Sequence, residues 1–230
     1  MSSQPVATNF PMICSNCRER LLGPLYCASC GKLQPPAQGT DYFSLFGLPR
    51  KLWIEMSSLE QNFLQLSWKL HPDNFMNASA EERELSLKSS SELNDAYRTL
   101  KDPVARVEYL LAIGGERKEG EKKQQAPPEL LEEVFELNES LDELREAKAS
   151  GGDLTSLKSR LEVAERDFQE KLTEVDEQLQ GVAKEWDAAQ DSTADSVAQK
   201  KLMARMNEFL NRRSYIRNLV ANVAKELAEA

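Results

Sequence analysis

The sequence predicts an all-α protein, and three patterns carry that expectation. Through residues 127–230, leucine-rich seams recur at alternating spacings of four and three, the signature of one apolar helix face. Nearer the N-terminus, Ser57 with Glu60 and Ser79 with Glu82 form two capping-box pairs that open amphipathic stretches. Between those stretches lies His71-Pro72-Asp73, which contains the only histidine of the chain. The architecture expected is a helical hairpin around this tripeptide, followed by an antiparallel three-helix bundle and preceded by a small four-cysteine module. A chain of 230 residues suits one to three modest domains.

Taken in order, residues 1–13 are an N-terminal tail whose MSSQPVATNF run has no Lys or Arg and no apolar core. It has the character of neither a secretory signal nor an Arg-rich transit peptide. The expectation is therefore a cytosolic protein, or one whose targeting segment is absent from this sequence. Residues 14–32 hold all four cysteines as Cys14-x₂-Cys17 and Cys27-x₂-Cys30. Two x₂ pairs each chelate from a tight turn and together complete a tetrahedral thiolate set, so one Zn²⁺ per chain is expected. Two disulfides, free structural thiols, a redox pair or an iron–sulfur site are the alternatives, although disulfides need an oxidising compartment for which the chain shows no signal. Such a small piece has little core to hold it folded without metal. A Pro- and Gly-bearing linker, LQPPAQGT, covers 33–40.

Residues 41–113 form the next unit. DYFSLFGLP at 41–49 supplies a short helix with Tyr42, Phe43, Leu45, Phe46 and Leu48 as core. A helix opened by Ser57 then carries Leu59, Phe63, Leu66 and Leu70 on one face, and Trp68 is assigned to the same core. Pro72 lacks an N–H and disfavours helical geometry at His71, so this helix stops there. After an eight-residue connection, a second helix bears Leu85, Leu93, Ala96, Tyr97 and Leu100 and ends at Pro103. Val104, Val107, Leu110 and Leu111 mark a further helix stopped by Gly114-Gly115. A tripeptide exposed between two antiparallel helices suits a grip on a partner. The bland alternative is a helix end where His⁺ favours the dipole.

Residues 114–126 read as a charged, solvated linker. Pro127-Pro128 opens the bundle region, 127–230. Its first helix carries Leu130, Val134, Leu137, Leu141 and Leu144 and is broken by Gly151-Gly152. Asp153 caps a second, with Leu154, Leu157, Leu161, Ala164, Phe168, Leu172, Val175, Leu179 and Trp186. After DAAQDSTADS, a third carries Leu202, Met206, Phe209, Ile216, Val220, Val223 and Leu227. Three such seams with short breaks favour a compact bundle over a free coiled coil. Beside the first seam, Leu131 and Phe135 stand one position off, flanked by Glu136, Glu139 and Glu143. From the residues alone, a wide buried face with solvated glutamates is the stronger reading, and a protein-docking strip the weaker.

Composition narrows the function classes. A net charge of −9 argues against a general nucleic-acid binder. Residues 127–230 carry 23 acidic and 14 basic groups, against 11 and 8 in 41–113, so the bundle region holds most of the imbalance. No apolar run approaches the roughly 20 residues of a membrane span. A lone histidine excludes His-rich metal sites and paired-His acid–base catalysis, and no catalytic residue is assigned.

DYFSLFGLP at 41–49, KLHPDNF at 69–75, LNDAYRTLKDPVARVEYLL at 93–111 and ELNESLDEL at 136–144 together closely resemble the HscB family, J-domain co-chaperones of iron–sulfur cluster assembly. The resemblance covers about 41–230. The His-Pro-Asp tripeptide alone would indicate any J-protein; the YFSLFGLP and DPVARVEYLL segments narrow it. The four-cysteine module resembles that of animal-type mitochondrial members and is absent from bacterial ones, which implies a mitochondrial-matrix location. By this resemblance His71, Pro72 and Asp73 contact a DnaK-type (HscA-like) chaperone and stimulate its ATPase, and the chain itself is no enzyme. The bundle is implied to hold an IscU-type scaffold through Leu131, Phe135, Glu136, Glu139 and Glu143, with Tyr215 a further match. The resemblance reverses the preference for a bland reading of that strip.

Two departures from the family stand out. Asn74 occupies a position usually held by Lys or Arg, and the helix before His71 carries Lys69 as its only cation. Chaperone contact is then expected to rest more on Arg98, Lys101 and the loop itself. Glu132 also replaces an apolar residue of bacterial members, narrowing the docking strip. The rival classes are a zinc-module interaction adaptor, which would want basic or aromatic residues around the cysteines, and a Cys-x-x-Cys redox protein, which would want a low-pKa thiolate in a stable fold. Of the basic residues the first would want, Arg18, Arg20 and Lys32 are the ones present.

Overall fold

The structure, a computed structural model, describes residues 13–117, 127–191 and 196–230. Most of the N-terminal tail (1–12), most of the charged linker (118–126) and part of the last break (192–195) lie outside these residues. The described chain is all-α apart from two isolated antiparallel bridges in the cysteine module. It falls into two compact units, the first running to Gly114 and taking in Gln190 and Asp191, the second comprising Gly115–Ala189 and 196–230.

In the first unit, α1 (Tyr42–Leu45) is started by Asp41, whose Oδ1 accepts from the Ser44 N–H at 2.8 Å while its Oδ2 holds Arg50 at 2.7 Å. Phe43, Leu45 and Phe46 are buried, as their pattern predicts. The rings of Tyr42 and Tyr109 stack at 4.3 Å, and the Tyr109 hydroxyl accepts from the Tyr42 N–H. This ties α1 to α4 (Pro103–Ile113).

Helix α2 spans Met56–Leu70 and starts earlier than the Ser57–Glu60 pair predicts. Glu55 is the cap. Its carboxylate accepts from the N–H groups of Ser57 and Ser58 at 3.2 and 2.6 Å, and the Ser57 hydroxyl donates to that same carboxylate at 2.7 Å. The Ser57 side chain, then Ser58, hold the Glu55 carboxyl down to about 2. Ser57 thus supports the cap instead of being it. For α3 (Ala80–Lys101) the expected cap is present, with Ser79 Oγ accepting from the Glu82 N–H at 3.2 Å. Asp102 Oδ1 accepts from both Val104 and Ala105 N–H at 2.8 Å. Pro103 therefore stops α3 and opens α4, since the first helical position needs no N–H.

Leu59, Leu70, Leu93, Ala96, Leu100, Val107, Leu110 and Leu111 are buried in this unit, and Phe63 stacks on Tyr97 at 4.1 Å. Trp68 departs from its expected place in the core and is 78% exposed. At about 100° per residue it lies some 200° round the helix from both Leu66 and Leu70, so the seam that buries Leu70 turns Trp68 outward.

The second unit is the three-helix bundle: α5 (Leu131–Ser150), α6 (Thr155–Asp191) and α7 (Ser196–Glu229). A 3₁₀ turn over Pro128–Leu130 leads into α5. Gly151, at φ +69°, ends it in the left-handed conformation that glycine adopts without a Cβ clash. Asp153 Oδ1 then accepts from the Thr155 N–H at 2.9 Å, and the Thr155 hydroxyl, followed by that N–H, lowers the Asp153 pKa. One continuous core joins Leu130, Val134, Leu137, Leu141 and Leu144 to Leu161, Phe168 and Val175 of α6 and Ile216 and Val223 of α7. The predicted seams thus meet. Arg145–Glu226 at 2.6 Å links α5 to α7, and Arg213–Asp176 at 2.5 Å links α7 to α6. Partly exposed pairs of this kind are screened by solvent and add little to stability. No described helix is long and apolar enough to cross a membrane.

Candidate functional site

The cysteine module consists of two matching turns. In the first, the Cys14 N–H donates to Glu19 O at 2.8 Å and the Arg18 N–H to Cys14 O at 3.1 Å; in the second, Cys27 N–H donates to Lys32 O and Gly31 N–H to Cys27 O, both at 2.9 Å. Arg18 (φ +64°) and Gly31 (φ +71°) hold the same left-handed place just after each x₂ pair. The turns bring the four Sγ atoms within 4.8 Å of one another. Cys14–Cys30 and Cys17–Cys27 are 3.7 and 3.6 Å apart. A tetrahedron with metal–sulfur bonds near ~2.3 Å has sulfur–sulfur edges of about 3.8 Å, so the set fits one tetrahedral metal ion.

The thiols also need a cation to ionise together. The Lys32 N–H, then the Asn16 side chain, pull the Cys30 thiol down to about 6. At Cys17 the lowering by the Glu19 N–H is outweighed by desolvation and the neighbouring sulfurs, and the thiol rises to about 12. A divalent ion resolves that conflict, because every coordinating thiol is then deprotonated. Gln34 is the residue that sequence reasoning missed here. It sits in the stretch read as linker, yet it and Leu33 are buried. Its Nε2 donates to Cys14 Sγ at 3.5 Å, and its Oε1 accepts from Ser15 N–H and Oγ at 3.4 and 3.3 Å. The module is fastened to the hairpin at two points. Lys32 pairs with Glu82 at 3.1 Å, and Lys69 donates to the Tyr26 hydroxyl with its ammonium 4.4 Å from the ring centroid.

The tripeptide is mounted on a braced helix end. His71 adopts the extended conformation that Pro72 imposes (φ −57°, ψ +130°), and Pro72–Phe75 form a single 3₁₀ turn. The carbonyls that α2 leaves without intrahelical partners are met from outside. Ser86 and Ser90 of α3 donate to Leu70 O at 2.6 and 2.9 Å, and Asn74 Nδ2 donates to Trp68 O at 2.6 Å. Asn74 therefore ties the loop back to the last turn of α2. His71 Nδ1 accepts from the Asp73 N–H at 3.3 Å, and both side chains remain exposed. Arg98 lies 3.9 Å from Asp95, and Lys101 lies over the Tyr97 ring at 5.6 Å.

On the bundle, Leu131 and Phe135 are 55% and 65% exposed although one position away Leu130 and Val134 are buried. Both project from the bundle. Glu136 and Glu139 line a groove between α5 and α6 of about 820 Å³, together with Val163, Asp167, Glu170 and Glu174 of α6. Those α6 residues escaped the sequence reading because only the packing of two helices places them beside α5. Glu143 is held by Arg160 at 2.9 Å, and that guanidinium also donates to Ser140 Oγ. Tyr215 is half-buried against the bundle core on α7.

Comparison with known proteins completes the assignment. The family model described as the HscB C-terminal oligomerisation domain matches residues 126–223. A co-chaperone protein HscB homolog of Vibrio cholerae is 33% identical over 172 residues, covering 75% of this chain and 95% of its own length. One from Vibrio vulnificus is 32% identical over 166 residues, covering 72% and 92%. Among solved structures, human co-chaperone protein HscB aligns at a TM-score of 0.60 and 24% identity over 95% of this chain and all of its own. HscB from Vibrio cholerae aligns at 0.50 and 28%, over 82% and 98%. The relatives matched over about three quarters of this chain are named as co-chaperones. The chain belongs to the HscB co-chaperone family.

Proposed function

We propose that this chain serves iron–sulfur cluster assembly by stimulating ATP hydrolysis in a DnaK-type (HscA-like) chaperone and delivering to it an IscU-type scaffold. The observation that carries the reading is the His71-Pro72-Asp73 loop, whose His71 and Asp73 side chains stand exposed on a helix end braced by Ser86, Ser90 and Asn74. A braced loop presents its groups without first paying conformational entropy, which favours binding. The bundle supplies a second, separate surface, with Leu131 and Phe135 as apolar anchors beside an acidic groove that suits a partner with basic side chains. Adding the full chain to a purified DnaK-type chaperone should raise its steady-state ATPase rate, and further on addition of IscU-type scaffold. No stimulation in either condition would remove the assignment. The resemblance of the cysteine module to that of animal-type members supports a mitochondrial-matrix location, with the cytosol as the alternative.

The metal we propose for Cys14, Cys17, Cys27 and Cys30 is a structural Zn²⁺. A closed four-thiolate set leaves no open position for chemistry, and among the described residues the buried apolar cluster around the sulfurs consists of Cys14, Leu21 and Cys27 alone. Zinc binding and folding of this module are then one event. Protein purified without chelator should contain close to one zinc per chain by elemental analysis. Chelation should loosen the module while the bundle keeps its helicity. Four oxidised cysteines and no metal after reducing purification would overturn the assignment.

A further inference from the structure

The end of α2 presents an apolar surface that the fold does not use. Leu64 and Trp68 are 59% and 78% exposed and, four residues apart, stand one above the other on the same side of the helix. They share a groove of about 490 Å³ with Ser67, His71, Asp73 and Asn74. The apolar pair and the tripeptide are thus one continuous surface, and the Asn74–Trp68 hydrogen bond fixes the loop against the turn that carries the indole. The α2 side of this groove is uncharged, since no side chain from Gln61 to Trp68 is ionisable; its charge comes from the loop, at Asp73. Lys69, the single cation of α2, is already committed to the hydroxyl and ring of Tyr26.

We propose that Leu64 and Trp68 are an apolar anchor for the DnaK-type chaperone, so that docking beside His71-Pro72-Asp73 is driven by burial of the indole and not by a cationic helix face. The proposal rests on the reading of the loop given above and names what secures it in this chain. The occupant follows from continuity. Any partner that closes on His71 and Asp73 also covers the groove they share with Trp68. A large aromatic at the centre of such a contact is the residue type that most often dominates binding. The complementary surface on the chaperone is uncharged and apolar next to the groups that receive Asp73.

Titration calorimetry of the full zinc-loaded chain into ATP-bound chaperone tests this. Trp68→Ala should weaken binding by about tenfold or more without lowering the melting temperature, and should make the heat-capacity change of binding less negative. Trp68→Phe should retain most of the affinity. Trp68→Arg is the decisive variant: an apolar anchor predicts weaker binding, whereas docking through a cationic face predicts tighter binding. Leu64→Asn provides an independent substitution on the same surface should changes at Trp68 unfold the chain. Unchanged affinity in a folded Trp68→Ala chain, or a gain with Trp68→Arg, overturns the proposal while leaving the loop's role standing. A wild-type dimer that becomes monomeric with Trp68→Ala also overturns it, by assigning the patch to a second copy. Failure of the wild-type chain to stimulate the chaperone at all overturns the reading on which it rests.

Discussion

Replacing His71 with glutamine should return the chaperone's ATPase to its unstimulated rate, with and without scaffold present. Glutamine keeps similar length and polarity but replaces a planar ring held against the Asp73 N–H at 3.3 Å. The His71 side chain is 56% exposed and the loop is closed by Asn74 and the α3 serines, not by the imidazole. The thermal stability should therefore move by no more than about 0.5 kcal/mol, the usual range for a surface substitution. The pairing of complete functional loss with little stability loss is the informative result. Retained stimulation would sink the role given to the tripeptide. A large fall in melting temperature would show instead that the imidazole caps α2 and would return His71 to a structural role. Asn74→Ala should behave differently, since it removes the bond to Trp68 O and leaves the tripeptide in place. Partial stimulation is expected there, from a loop with more conformations to lose on docking.

What the sequence disclosed and what it concealed divide along a physical line. Features set by neighbours in the chain were legible. The Ser79 and Asp153 caps, the arrest of α3 at Pro103 and the glycine that ends α5 each depend on a few consecutive residues. The three bundle seams were legible because a buried stripe repeats with the helix itself. The matched spacing of the cysteines foretold a cluster whose sulfurs do meet. Glu55 was passed over as a cap because its longer side chain is a less frequent choice than Ser, though here its two oxygens reach two N–H groups at once. Residue type alone places Trp68 in the core, and its angular position decides otherwise. Gln34 could not be found by pattern, since its function depends on the chain folding back over Cys14. The α6 wall of the acidic groove was hidden for the same reason: Val163 and Glu170 become neighbours of Glu136 only when two helices pack.

Leu131→Ala combined with Phe135→Ala should separate the two proposed partners of this chain. Both side chains are more than half exposed, and the buried residues beside them, Leu130, Val134 and Leu137, already complete the α5 seam. Truncating the pair should leave bundle helicity and melting nearly intact. Scaffold affinity should fall substantially, because truncating an apolar residue that anchors an interface costs more than about 1 kcal/mol, and two such anchors together on the order of thirtyfold. The flanking carboxylates set how this loss depends on salt. Glu136 and Glu139 line the acidic groove, so residual binding to a basic scaffold face should weaken further as ionic strength rises and exposed charges are screened. Glu143 is held by Arg160 and has less to give; Glu143→Gln should cost less affinity than Glu139→Gln. Stimulation of the chaperone without scaffold should survive the double substitution, since the tripeptide belongs to the other unit, while the additional stimulation that scaffold brings should diminish. Calorimetric titration with IscU-type scaffold decides the matter. Unchanged affinity in a folded double variant would remove Leu131 and Phe135 from the scaffold surface, and a molten variant would show that the two side chains hold the bundle together despite their exposure.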